Sequence, residues 1–132
     1  MDKFQKRVQK ISRPNENAVV IGSGFGRLED ILKIFNTVFV LGGPMPEIKA
    51  KNLVYKESYQ NLNNITLISA IFFDLNDIGK LEDFKSFWQR NDSVIIIEGD
   101  EPIGREFSKS LYDTGWGCTS LQGFFHVWEK IK

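Results

Sequence analysis

Residues 18–28 read Ala18-Val19-Val20-Ile21-Gly22-Ser23-Gly24-Phe25-Gly26-Arg27-Leu28: a short apolar run, three alternating glycines, then a leucine. Val19, Val20 and Ile21 are β-branched with no polar residue among them, the pattern of a parallel strand covered on both faces. Gly22, Gly24 and Gly26 carry no Cβ, so the backbone can turn sharply there and a ligand can approach it closely. A strand, a glycine turn and the start of a helix form the first half of a βα unit, and such a loop points to a nucleotide-like ligand. Glycines at this spacing also serve tight strand-to-helix turns that hold nothing, so the loop names no reaction.

Downstream of the loop, Leu28, Ile31, Leu32 and Phe35 stand at i, i+3, i+4 and i+7, one broad face of a helix lying on a sheet. Thr37 to Leu41 is a second β-branched strand, closed by Gly42-Gly43-Pro44, and strand, helix, strand makes a right-handed βαβ unit. Between Pro44 and Lys51 there is room for at most two helical turns. Asn52 to Tyr55 reads as a short third strand at a sheet edge. Ile65 to Phe73 reads as a fourth strand, although Leu67-Ile68-Ser69-Ala70 at its centre also suits a helix. Gly79 to Arg90 has helical spacing, with Leu81, Phe84 and Trp88 on one face.

Val94 to Ile97 is a buried strand by the same reasoning as Val19 to Ile21. Pro102 opens a helix with Ile103, Phe107 and Leu111 at i, i+4 and i+8, and Gly115 is placed to cap it. Trp116 to Leu121 and Phe124 to Ile131 then form a closing antiparallel hairpin through Gln122-Gly123.

Upstream, Phe4, Val8 and Ile11 recur at helical spacing, so residues 1–13 read as an amphipathic helix ended by Pro14. Its apolar stripe is expected to bury against the body of the domain or against a second copy, giving a homo-oligomer. The same stretch carries Lys3, Lys6, Arg7, Lys10 and Arg13 against Asp2 alone, either a contact patch or a solvated helix face. Over all 132 residues, 17 basic and 17 acidic side chains cancel, which gives no global field for nucleic acid or an anionic membrane. The length fits one domain, 1–132. A single cysteine, Cys118, excludes an internal disulfide and leaves too few ligands for a zinc site, consistent with a cytoplasmic protein. No apolar run is long enough to cross a bilayer.

The glycine loop after the first strand, the βα succession and the Gly115-Trp116 turn into a terminal hairpin together resemble the Rossmann-like S-adenosylmethionine-dependent methyltransferases, over Ala18 to Lys132. The resemblance implies a three-layer α/β fold with seven strands in the order 3-2-1-4-5-7-6, strand 7 alone being antiparallel. It implies S-adenosylmethionine as cofactor, held by Gly22, Ser23, Gly24 and Gly26 in the loop and by Leu41 and Gly42 at the end of strand 2. Glu57 after strand 3 and Asp74 at the end of strand 4 complete the implied contacts. Two features of the family pattern are missing: Val20 stands where an acid usually precedes the glycines, and Val40, Leu41 and Gly42 stand where an acid usually grips the ribose.

Each candidate also has a plain structural reading. Asp74 serves as general base, as a polar substrate contact or as the cap of the next helix. Glu98, Asp100 and Glu101 follow the strand Val94 to Ile97 at the carboxyl edge, where three acids also suit the start of a helix. His126 is the sole histidine and reads as a strand side chain; Cys118 reads as packing; Trp88, Trp116 and Trp128 read as core. Three functions follow: a methyltransferase-like protein acting on an unknown substrate, a non-catalytic interaction or assembly module descended from that fold, and an NAD-type dinucleotide-binding domain.

Overall fold

The computed structural model describes residues 3–13, 15–21, 26–58, 64–74, 94–98, 109, 111–113, 115–122 and 125–130. In chain order these form α1 (Lys3–Ile11), β1 (Asn17–Ile21), α2 (Leu28–Ile34), β2 (Val38–Leu41), β3 (Leu53–Lys56), β4 (Ile68–Asp74), β5 (Val94–Glu98), β6 (Trp116–Gln122) and β7 (Phe125–Lys130). One seven-stranded sheet joins them in the order β3-β2-β1-β4-β5-β7-β6. β1 to β5 pair in parallel, and β7 runs antiparallel to both of its neighbours. The order and the single antiparallel strand are those the resemblance implied.

Strand alternation divides the core into two layers. Ala18, Val20, Val38, Val40, Ala70, Phe72 and Ile96 face one side, under α1 and α2. There Phe35 meets Phe72 edge to face, with ring centroids 6.0 Å apart. Val19, Ile21, Leu41, Ile71, Phe73 and Ile95 face the other side and pack with Leu111, Trp116 and Trp128. Residues 111–113 are helical, and Gly115 (φ 95°) donates its N–H to the Tyr112 carbonyl, which ends that helix as its sequence position required.

α1 and α2 both descend from the carboxyl edge of the sheet. Near that edge, Gln5 Nε2 donates to Asp30 Oδ1 at 3.0 Å and the Arg27 guanidinium covers the Phe4 ring at 5.2 Å. At the opposite edge the residue after α1 is fastened to β4: Arg13 N–H donates to the Ser69 hydroxyl, and Arg13 Nη2 to the Ile68 carbonyl. Ser69 is the residue that β1 skips, because Asn17 pairs with Ile68 and Ala18 with Ala70. The bulge frees a buried hydroxyl to hold the end of α1. Phe4 and Val8 lie in the domain's own core, 8% and 1% exposed, so the apolar stripe packs within the chain.

Several expected elements shift. β4 starts at Ile68 rather than Ile65, because Leu67 takes a left-handed conformation (φ 56°) that no strand accommodates, and the helical alternative for 67–70 is not realised. No helix forms across 44–50. α2 stops at Ile34, and Phe35 turns to extended backbone (φ −102°, ψ 157°) while its ring stays buried. Cys118 is exposed, not packed. Trp116 and Trp128 are core as expected, and His126 is a buried strand side chain. The helix expected over Gly79 to Arg90, with Trp88, and the residues Asp100 to Phe107 lie outside the described residues.

Candidate functional site at the carboxyl edge

In-register pairing carries one row of residues across the top of the sheet: Lys56, Leu41, Ile21, Phe73, Ile97 and His126. The chain leaves β1 towards β2 on one side of this row, while β4 takes up the other side of β1, so the sheet reverses its winding order between β1 and β4. Open α/β sheets bind ligands outside the carboxyl ends of their strands at such a switch point. Four of the candidate residues stand along the carboxyl ends of β2, β3 and β4. Leu41 ends β2 and Gly42 follows it; Glu57 follows β3; Asp74 ends β4, in register with Glu98 of β5.

Leu41 is fully buried and supplies no polar atom. Gly42 and Gly43 both have positive φ, 75° and 70°, so the chain turns off β2 through two consecutive left-handed residues. Gly42 N–H donates to the Lys56 carbonyl at 2.9 Å, and the Tyr55 hydroxyl donates to the Gly43 carbonyl, tying this turn to the end of β3. Gly42 is also buried, so the turn forms a cradle that a Cβ would fill. Glu57 and Ser58 are exposed. Gly22, Ser23, Gly24 and Phe25, which continue from Ile21, lie outside the described residues, and Gly26 is an exposed turn residue.

A cavity of about 610 Å³ opens between the segment that leaves β1 and the segment that leaves β2. Gly26 and the first turn of α2, Arg27 to Asp30, form one wall; Pro46, Glu47 and Ile48 form the other. Its size falls within the roughly 300–1,000 Å³ of small-molecule sites. Arg27 Nη1 bridges to Asp30 Oδ2 at 3.1 Å, which leaves Glu29 and Glu47 as the lining carboxylates outside that pair. Among the described candidate residues read from sequence, Gly26 alone lines this cavity. Glu47 escaped the sequence reading because its position depends on how the Gly42-Gly43 turn sends the chain back over α2; the signal available was an acid flanked by Pro46 in the loop after strand 2.

No protein-family model matches the sequence, and no curated protein matches it. Solved structures do. A proposed methyltransferase of Streptococcus mutans in complex with SAH matches with a TM-score of 0.66 at 15% identity, over 96% of this chain and 94% of that one. The fold is that of the S-adenosylmethionine-dependent methyltransferases. A proposed methyltransferase of Thermoplasma acidophilum matches with a TM-score of 0.53 at 13% identity, over 91% of this chain and 70% of that one. MtNAS in complex with MTA and tNA matches at 0.64 and 14% identity; this chain spans 58% of its length.

The residues present fit the cofactor of that methyltransferase fold in one respect and depart from it in two. The cavity has the volume. No acid stands at the end of β2, and Val20 is buried in the sheet where the other family acid would be. Among the described residues no helix is long and apolar enough to cross a membrane, and no cluster of potential metal ligands forms.

Proposed function

We propose that the chain is an S-adenosylmethionine-binding, methyltransferase-like domain whose ligand lies over the carboxyl ends of β1, β2 and β4. The observation that carries this reading is the cavity between the segments leaving β1 and β2, in a sheet with the strand order of that fold. Similar structures bind SAH or MTA, ligands of the same chemical class. Gly22, Ser23, Gly24 and Gly26 give close backbone approach to the ligand. Leu41 and Gly42, both buried, shape the end of β2 beneath it, and Glu57 supplies an acceptor at the end of β3.

When bound, the cofactor supplies an electrophilic methyl group on a sulfonium. The chain's part is to hold that group in line with a substrate nucleophile, so that proximity and orientation do most of the work. Asp74, at the end of β4, is the group on this edge suited to contact the substrate or take its proton. The methyl acceptor would be presented at the carboxyl ends of β4 and β5, near Asp74 and Glu98. We assign the protein to the cytoplasm on its single cysteine and balanced charge.

A second reading, a non-catalytic module on the same fold, is favoured by Leu41 and Gly42 occupying the place of the ribose acid. Mass spectrometry of the denatured, freshly purified protein separates the two. Co-purified S-adenosylmethionine or S-adenosylhomocysteine supports ligand binding; a ligand-free protein that also takes up neither on incubation supports the module.

A further inference from the structure

Lys3, Lys6 and Lys10 stand at i, i+3 and i+7 on α1, and all three are exposed. At about 100° per residue they share one face, and at about 1.5 Å per residue they span roughly 10 Å of helix axis. No acidic residue occurs between Lys3 and Ile11, and none of the three lysines forms an ion pair among the described residues. Two carboxylates near α1 are engaged elsewhere, Glu16 with Arg13 and Asp30 with Arg27 and Gln5. The chain as a whole is neutral, so the basic excess of residues 1–13 leaves the remainder net acidic. The lysine face of α1 thus stands against a net acidic remainder, and its local field attracts a polyanion.

We infer that the lysine face of α1 is a docking surface for the phosphate backbone of a nucleic acid strand. The burial of Phe4 and Val8 decides against the other polyanionic surface, a membrane: a basic amphipathic helix binds lipid by inserting its apolar face, and here that face is committed to the core. Lysines act as point charges on phosphates without reading bases, so binding is insensitive to sequence. The face runs from the carboxyl edge, where α1 touches Arg27 and Asp30 of the cavity wall, to the amino edge at Ser69. A strand laid along it ends beside the cavity. Its service as methyl acceptor rests on the cofactor reading above; its binding does not.

The test is fluorescence anisotropy of a labelled, mixed-sequence 20-nucleotide single-stranded RNA, without cofactor, against the full chain and a Lys3→Gln/Lys6→Gln/Lys10→Gln variant. Three neutralised phosphates give a log-log salt slope of about −2, or a 15- to 20-fold loss of affinity between 50 and 200 mM salt. The variant, altered only at exposed positions, should keep its melting temperature, lose at least tenfold in affinity and show a slope near zero. No binding by the wild type at 50 mM salt, or equal binding by the variant, overturns the proposal. So does binding to phosphatidylserine vesicles with none to RNA. Because no cofactor is present, failure to bind S-adenosylhomocysteine leaves the result intact.

Discussion

The guanidinium of Arg27 lies 5.2 Å from the centre of the Phe4 ring, across the seam between the turn that opens α2 and the first turn of α1. Phe4 thus links the core beneath α1 to Arg27, a residue of the cavity wall. Phe4→Ala removes a buried ring and should cost about 3 kcal/mol in urea unfolding. In a double-mutant cycle with Arg27→Ala, the coupling should come to about 0.5–1 kcal/mol, the worth of a partly exposed cation–π contact. Additive single losses would show that the two side chains are only neighbours.

Gly42 and Gly43 share a left-handed backbone but differ in burial, and the difference is measurable. Gly43→Ala, at an exposed position, should destabilise by about 1 kcal/mol through its φ alone. Gly42→Ala adds a methyl to a buried cradle and should cost about 1–3 kcal/mol more. Equal losses in thermal unfolding would mean that no close-packed cradle exists at the end of β2.

Asn52 fastens the edge strand to the helix beside it. Its Nδ2 donates to the carbonyls of Leu32 at 2.8 Å and Phe35 at 3.2 Å, carbonyls left over where α2 ends. Asn52→Ala removes both bonds and should cost about 1–3 kcal/mol. Hydrogen exchange should localise the effect to β3 and the end of α2; protection unchanged there would contradict it.

The parts of the fold that were legible in sequence are those governed by local pattern. Val19 to Ile21 are apolar because both faces of a central strand are covered, Ile95 and Ile96 of β5 are buried on opposite faces for the same reason, and Phe4, Val8, Leu28 and Ile31 fall where helical periodicity puts them. What escaped depends on contacts distant in sequence or on a single backbone angle. Leu67 is apolar yet 69% exposed, since its φ of 56° turns it out of the strand its composition suggested. Ser69, in a stretch that also suited a helix, is the residue the bulge releases to hold Arg13. The strand ends of the site were legible in order, whereas the pairing of Glu47 with the first turn of α2 across a cavity required the fold.

The most direct test of the central claim is the melting temperature of the wild-type protein with S-adenosylhomocysteine, with NAD and with neither. Ligand at 100 times its dissociation constant adds about 2.7 kcal/mol of stability, a rise of about 5 °C or more for a domain of this length. S-adenosylhomocysteine should produce that rise and NAD should not, and Gly24→Val should abolish it by placing a branched side chain where the ligand meets the loop. No rise with millimolar S-adenosylhomocysteine, or an equal rise with NAD, would contradict the account.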